Sequence, residues 1–106
     1  MPPFTGTDQR RNYRAMYRAA CDFHERHNPP LVEAAYWESH MPGTDAPPPS
    51  EVKYWQQTAQ DASDTARMQG NDPFLIGLLT TVYEELEREY EQMRKQALQC
   101  NSQQLF

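Results

Sequence analysis

Every proline in this chain falls between stretches of helical periodicity, and none falls inside one. Proline lacks a backbone N–H and its ring clashes with the preceding turn, so such placement divides the chain into separate helices. Pro2 and Pro3 lie in a leader, Pro29 and Pro30 follow Asn28, Pro42 and Pro47 to Pro49 share one loop, and Pro73 follows Asp72. Between them, apolar residues recur every three or four positions and never alternate, which predicts an all-α fold. The first helix runs from Thr7 or Asp8 to about His27, its stripe formed by Tyr13, Met16, Tyr17, Ala20, Phe23, His24 and His27. Asn28-Pro29-Pro30 ends it and caps a short second helix from Leu31 to about His40. Ser50 caps a third, Glu51 to Gln69, with Val52, Trp55, Ala59, Ala62 and Ala66 as its stripe. Gly70 stops that helix, and Asp72 with Pro73 starts a fourth and longest, whose stripe is Leu75, Leu79, Val82, Leu86, Tyr90, Met93 and Ala97.

The expected architecture is a bundle of three main helices plus one short one, within a single domain at 7–98. A flexible leader (1–6) and tail (99–106) flank it. With 106 residues, 38% of them apolar, the chain builds one small core, which excludes a large enclosed active site. A net charge of −5 argues against global attraction to DNA or an anionic membrane. Cys21 and Cys100 fit neither a paired metal knuckle nor a disulfide scaffold, so a reducing cytoplasm is expected. The start of the sequence has no apolar signal segment, and the longest near-apolar run, Pro73 to Leu79, is far short of a membrane span.

Catalytic and metal signatures are weak. Cys21, His24 and His27 step by three along the first helix and so drift around it instead of converging on one ion. A small metal-binding or enzymatic protein built on Cys21, His24, His27 and His40 is the alternative these residues leave open. Glu-x-x-His is absent, as are glycine-rich phosphate loops and His-Glu-x-x-His. Cys21 lacks the oxyanion turn that a catalytic thiol needs. The reading is therefore of a non-enzymatic protein with no cofactor and no metal. The acids between Glu84 and Glu91 read as a solvated face laced by Glu84–Arg88 and Glu91–Lys95 pairs.

Charge is nonetheless uneven. Five arginines against three acids leave the first 30 residues at +2, and twelve acids against five bases leave the remaining 76 at −7. Arg10, Arg14 and Arg18 step by four along one flank of the first helix, with Arg11 beside them. The partner surface expected from this is Arg11, Arg14, Arg18 and Tyr54, since arginine and tyrosine are enriched at hot spots. Its competitor is internal pairing with the acidic fourth helix. Nucleic-acid binding through the flank is a further alternative, disfavoured because four arginines neutralise only about four phosphates. The proline-rich loop at 41–49 has acids where a polyproline ligand carries bases, and reads as a rigid connector. Glu33-x-x-Tyr36-Trp37 and Glu51-x-x-Tyr54-Trp55 echo each other as helix first turns, with Trp55 inward and Tyr54 at the rim. The last turns of the fourth helix overhang the shorter helices, so Tyr90, Met93 and Ala97 are expected to form a homodimer contact.

The stretches RNYRAMYRAACDFHERHNPP and GNDPFLIGLLTTVYEELEREYEQMRK, with their D-F-H-x-R-H-N-P and N-D-P-F-L runs, resemble short helical proteins encoded on conjugative elements of gut clostridia. The resemblance implies an accessory role in mobile-element biology and brings no activity, ligand or functional residue. Together these readings predict a cytoplasmic interaction module with a protein partner.

Overall fold

A computed structural model describes residues 11–39 and 46–104; the leader, residues 7–10, His40, loop residues 41–45 and the last two residues of the expected tail, 105 and 106, lie outside that range. Four helices and no strand occur among the described residues: α1 (Tyr13–His27), α2 (Ala34–Glu38), α3 (Pro49–Met68) and α4 (Pro73–Gln104). The fold is all-α, and none of its described helices is long and apolar enough to cross a membrane.

Local chemistry sets the ends of the helices. Asn12 accepts the Ala15 N–H on its side chain at 3.0 Å and holds residues 11 and 12 out of the helix, so α1 starts at the first residue of its apolar stripe, Tyr13, and not at Thr7 or Asp8. α2 is shorter than the expected Leu31-to-His40 span because the Glu33 N–H leaves the helical register to bond the Glu51 carboxylate. α3 begins at Pro49, whose missing N–H costs nothing there. Ser50 is thus inside the first turn and caps nothing; its hydroxyl donates to Glu33 Oε1 at 3.2 Å. Between α3 and α4, Gly70 (φ 73°) and Asn71 (φ 56°) take left-handed backbone, and the Asn71 N–H reaches the Ala66 carbonyl at 2.8 Å. Asp72 then caps α4 by accepting the Phe74 N–H.

That tight turn makes α3 and α4 antiparallel. α1 lies along the first half of α4, with Tyr13 and Tyr17 edge-on to Phe74 and Arg11 bound to Asp72. α2 lies further along α4, where Trp37 meets Arg94. The core is Met16, Ala20 and Phe23 from α1, Ala66 from α3, and Leu75, Leu79 and Leu86 from α4.

Three expectations fail here. The α4 backbone stays helical to Gln104, past residue 98 where apolar periodicity stops. The expected overhang is covered: Ala97 is buried, Tyr90 and Met93 are half-buried, and Trp37, 2% exposed, sits over this end. Tyr90, Met93 and Ala97 therefore serve an internal contact, because the short segment carrying α2 supplies the length that α1 lacks. Finally, α3 is turned part-way from its expected orientation: Trp55, Ala62 and Ala66 of the expected stripe do pack on the core, but a polar side is buried beside them while Val52 and Ala59 face outward. Its buried residues are Glu51, Thr58, Thr65 and Ala66, with Tyr54 and Asp61 half-buried beside them, whereas Val52 is 40% exposed.

Candidate protein-binding groove

The rotation of α3 follows from two polar clusters that out-compete its alanines. At the distal end, the carboxylate of Glu51 has no solvent exposure. Its Oε2 accepts the Glu33 N–H at 2.7 Å and the Trp37 indole N–H at 2.8 Å, and its Oε1 accepts the Tyr90 hydroxyl at 2.6 Å. One side chain thus ties α2, α3 and α4 together. Arg94 lies 5.0 Å from the centre of the Trp37 ring and brings positive charge to the same place. Burial, then the bond to Glu51, pushes the Tyr90 phenol well above its ordinary pKa.

Nearer the middle, Asp61 joins α3 to the end of α1. It accepts two hydrogen bonds from Arg26, at 2.9 and 3.1 Å, and one from His27 Nε2 at 2.6 Å. Partial burial works against its ionisation, but the Arg26 and His27 hydrogen bonds outweigh it and hold the carboxyl below its usual range. His27 Nδ1 is 3.2 Å from the oxygen of the Thr58 hydroxyl, whose hydrogen goes to the Tyr54 carbonyl at 2.8 Å. The Tyr54 hydroxyl donates to the His27 carbonyl, and burial raises its pKa. Tyr54 is therefore a half-buried tie between helices and not a rim residue.

Thr58, His27 and Asp61 are ordered like a nucleophile, base and orienting acid, yet the Thr58 side chain is wholly buried, and the grooves of this surface open elsewhere. With Thr58 buried, the chain of bonds braces α3 against the end of α1. Cys21 is exposed on α1, His24 is half-buried, and both ring nitrogens of His27 are engaged with Asp61 and Thr58. The described residues contain no group of three or more His, Cys, Asp or Glu placed to hold a metal ion. His40, the remaining member of the expected set, is outside them.

The arginine surface is also taken apart. Arg11 makes a two-pronged ion pair with Asp72, at 2.8 and 2.5 Å, which holds the Asp72 carboxyl below its usual range. Arg11 precedes the start of α1 and Tyr54 meets its last residue, His27, so the helix, about 21 Å at 1.5 Å per residue, separates them. Only Arg14 and Arg18 remain exposed and without an ion pair among the described residues.

What the rotation leaves open is the seam between α3 and α4. An open groove of about 520 Å³ runs along it. Ala66 and Leu79 form the floor, Ala59, Ala62 and Ser63 one wall, and Ile76, Thr80 and Tyr83 the other. Past Tyr83 it continues into a second hollow lined by Trp55 and Tyr90, with Glu87 common to both. The alanines expected to bring α3 close to its neighbour instead leave this volume unfilled, because the polar ties set where α3 rests. Glu84 and Glu87 form the α4 lip. The expected Glu84–Arg88 pair does not form: Arg88 binds Glu85 and Arg94 binds Glu91, each at i,i+3. Glu84 and Glu87 consequently make no ion pair among the described residues, and Arg88 and Lys95 line only the hollow on their other side. Reading the sequence by stripes found the alanines but not the groove; the signal was the parallel polar stripe Glu51, Tyr54, Thr58, Asp61, Thr65.

Comparison with protein-family models, with characterised proteins and with solved structures finds no match.

Proposed function

We propose that this protein is a non-enzymatic protein–protein interaction module whose contact surface is the α3/α4 groove, acting as an accessory protein of a mobile genetic element. The observation that carries the reading is the groove itself. It gathers Ala59, Ala62, Ala66, Ile76, Leu79 and Tyr83 into one hollow, with Ile76 43% exposed, whereas the other exposed large apolar residues, such as Val52 and Met68, line no part of it. The buried Thr58 and the occupied nitrogens of His27 support a non-catalytic role over the metal or enzymatic alternative. A basic contact through Arg14 and Arg18 is a second reading, favoured by their exposure. Two arginines neutralise only about two phosphates, so that face suits an acidic protein better than nucleic acid.

Site-specific photo-crosslinking in the native host separates these readings. A photoreactive residue at Ser63 should capture a protein, one at Arg18 should not, and the partner, once purified, should bind Ser63→Trp at least ten-fold more weakly than wild type. Capture only from Arg18 would move the interface to α1, and capture from neither would reject the interaction reading.

A further inference from the structure

Building on that groove reading, we infer that the occupant is an amphipathic helix of about 14 residues, with small or aliphatic side chains on one face and lysine or arginine on the flank that meets α4. The two hollows span α4 from Ile76 to Tyr90, ~21 Å at 1.5 Å per residue, which is the length of a four-turn helix. An extended peptide would seek a sheet edge, and the described residues contain no strand; a groove between two helices accepts a third through interleaved side chains.

Charge fixes the flank. No lysine or arginine lines either hollow, while Glu84 and Glu87 on the lip make no ion pair among the described residues. A basic flank neutralises both, and an acidic one is repelled. A second copy of this chain offers Arg14 and Arg18 on α1, but the apolar stripe of that helix, Met16, Ala20 and Phe23, is already buried in its own core. It has the charge without the side chains to fill the groove.

The test uses the whole protein and two designed helical peptides of about 18 residues that share one Leu/Ala face and differ in carrying Lys or Glu on the flanks. Calorimetry at about 50 mM salt should show the Lys peptide binding about ten-fold more tightly than the Glu peptide. Glu84→Gln with Glu87→Gln should erase most of that preference, whereas the charge-matched Asp22→Asn with Glu25→Gln on α1 should preserve it. Ser63→Trp should abolish binding of both peptides with helicity unchanged. Equal affinity of the two peptides, with Ser63→Trp still blocking them, overturns the basic-helix assignment and leaves the groove reading standing. Binding of neither overturns both. Sedimentation showing a dimer that Glu84→Gln and Glu87→Gln dissolve would assign the groove to a second copy and overturn the proposal.

Discussion

Replacing Glu51 by alanine is the most demanding test of how this bundle is held together. The carboxylate is fully buried and receives three donors, but the three are not equally vulnerable. Trp37 is 2% exposed, so its indole N–H has no water to turn to, and leaving it unpaired costs about 1–3 kcal/mol. Tyr90 is half-buried and Glu33 is exposed, so their donors recover partners in solvent. Loss of the side-chain packing adds about 1 kcal/mol. The expected destabilisation is thus about 3 kcal/mol, a large share of the 5–15 kcal/mol typical of a domain. Glu51→Gln should lose only about 1 kcal/mol. Its amide oxygen keeps the Trp37 and Glu33 bonds without charge assistance, and the Tyr90 hydroxyl rotates to accept from the amide nitrogen. Urea unfolding followed by circular dichroism and tryptophan emission measures both. In a Trp37→Phe background, where the indole donor is gone, the Gln variant should cost less than in the wild type. The reasoning fails if the alanine variant unfolds within 1 kcal/mol of wild type, or if glutamine is as damaging as alanine.

Asp61→Asn should cost about 1–2 kcal/mol at pH 7 by breaking the Arg26 and His27 bonds. The folded-state pKa of Asp61 is depressed, so this stability is present above its unfolded value near 4 and is lost as pH falls below it; the gap between wild type and variant should close toward pH 2 in thermal melts. Asn12→Ala should lower stability by about 1 kcal/mol if α1 is capped there, and a melt unchanged by that substitution would return the helix start to Thr7 or Asp8. Glu89 has one buried carboxylate oxygen with no hydrogen-bond partner among the described residues, so Glu89→Met should raise stability by about 1 kcal/mol in urea unfolding, and a loss would refute that account.

How far the sequence could be read depended on which force placed each helix. α4 is positioned by apolar burial, and the stripe that period 3.6 picks out, from Leu75 to Ala97, is the face it turns inward. α1 is legible for the same reason at Met16, Ala20 and Phe23, but not at Tyr13 and Tyr17, which stay exposed with Phe74 edge-on to both and the Arg11 guanidinium over the Tyr13 ring. On α3 the apolar stripe finds Trp55, Ala62 and Ala66 but misses the buried polar side, because such an argument ranks alanine above glutamate, threonine and aspartate for burial. Three alanines offer little area, whereas Glu51 and Asp61 each gather several charge-assisted hydrogen bonds, and those depend on partners from distant parts of the chain: Trp37, Tyr90, Arg26 and His27. No local pattern shows that donors from five residues distant in sequence, Glu33 among them, will converge on two carboxylates. The same fact accounts for the groove. Had α3 been set by hydrophobic contact, Ala59, Ala62 and Ala66 would have let it close onto α4. Tied by hydrogen bonds to α1, α2 and the Tyr90 end of α4, and touching α4 through Trp55 and Ala66, α3 leaves an open seam beside Ala59 and Ala62 whose lip carries the charge of Glu84 and Glu87. The features that make the bundle rigid and the feature that makes it able to bind are therefore one arrangement. A variant that loosens the Glu51 tie should let α3 roll inward, and should weaken the binding of a helical ligand along with stability.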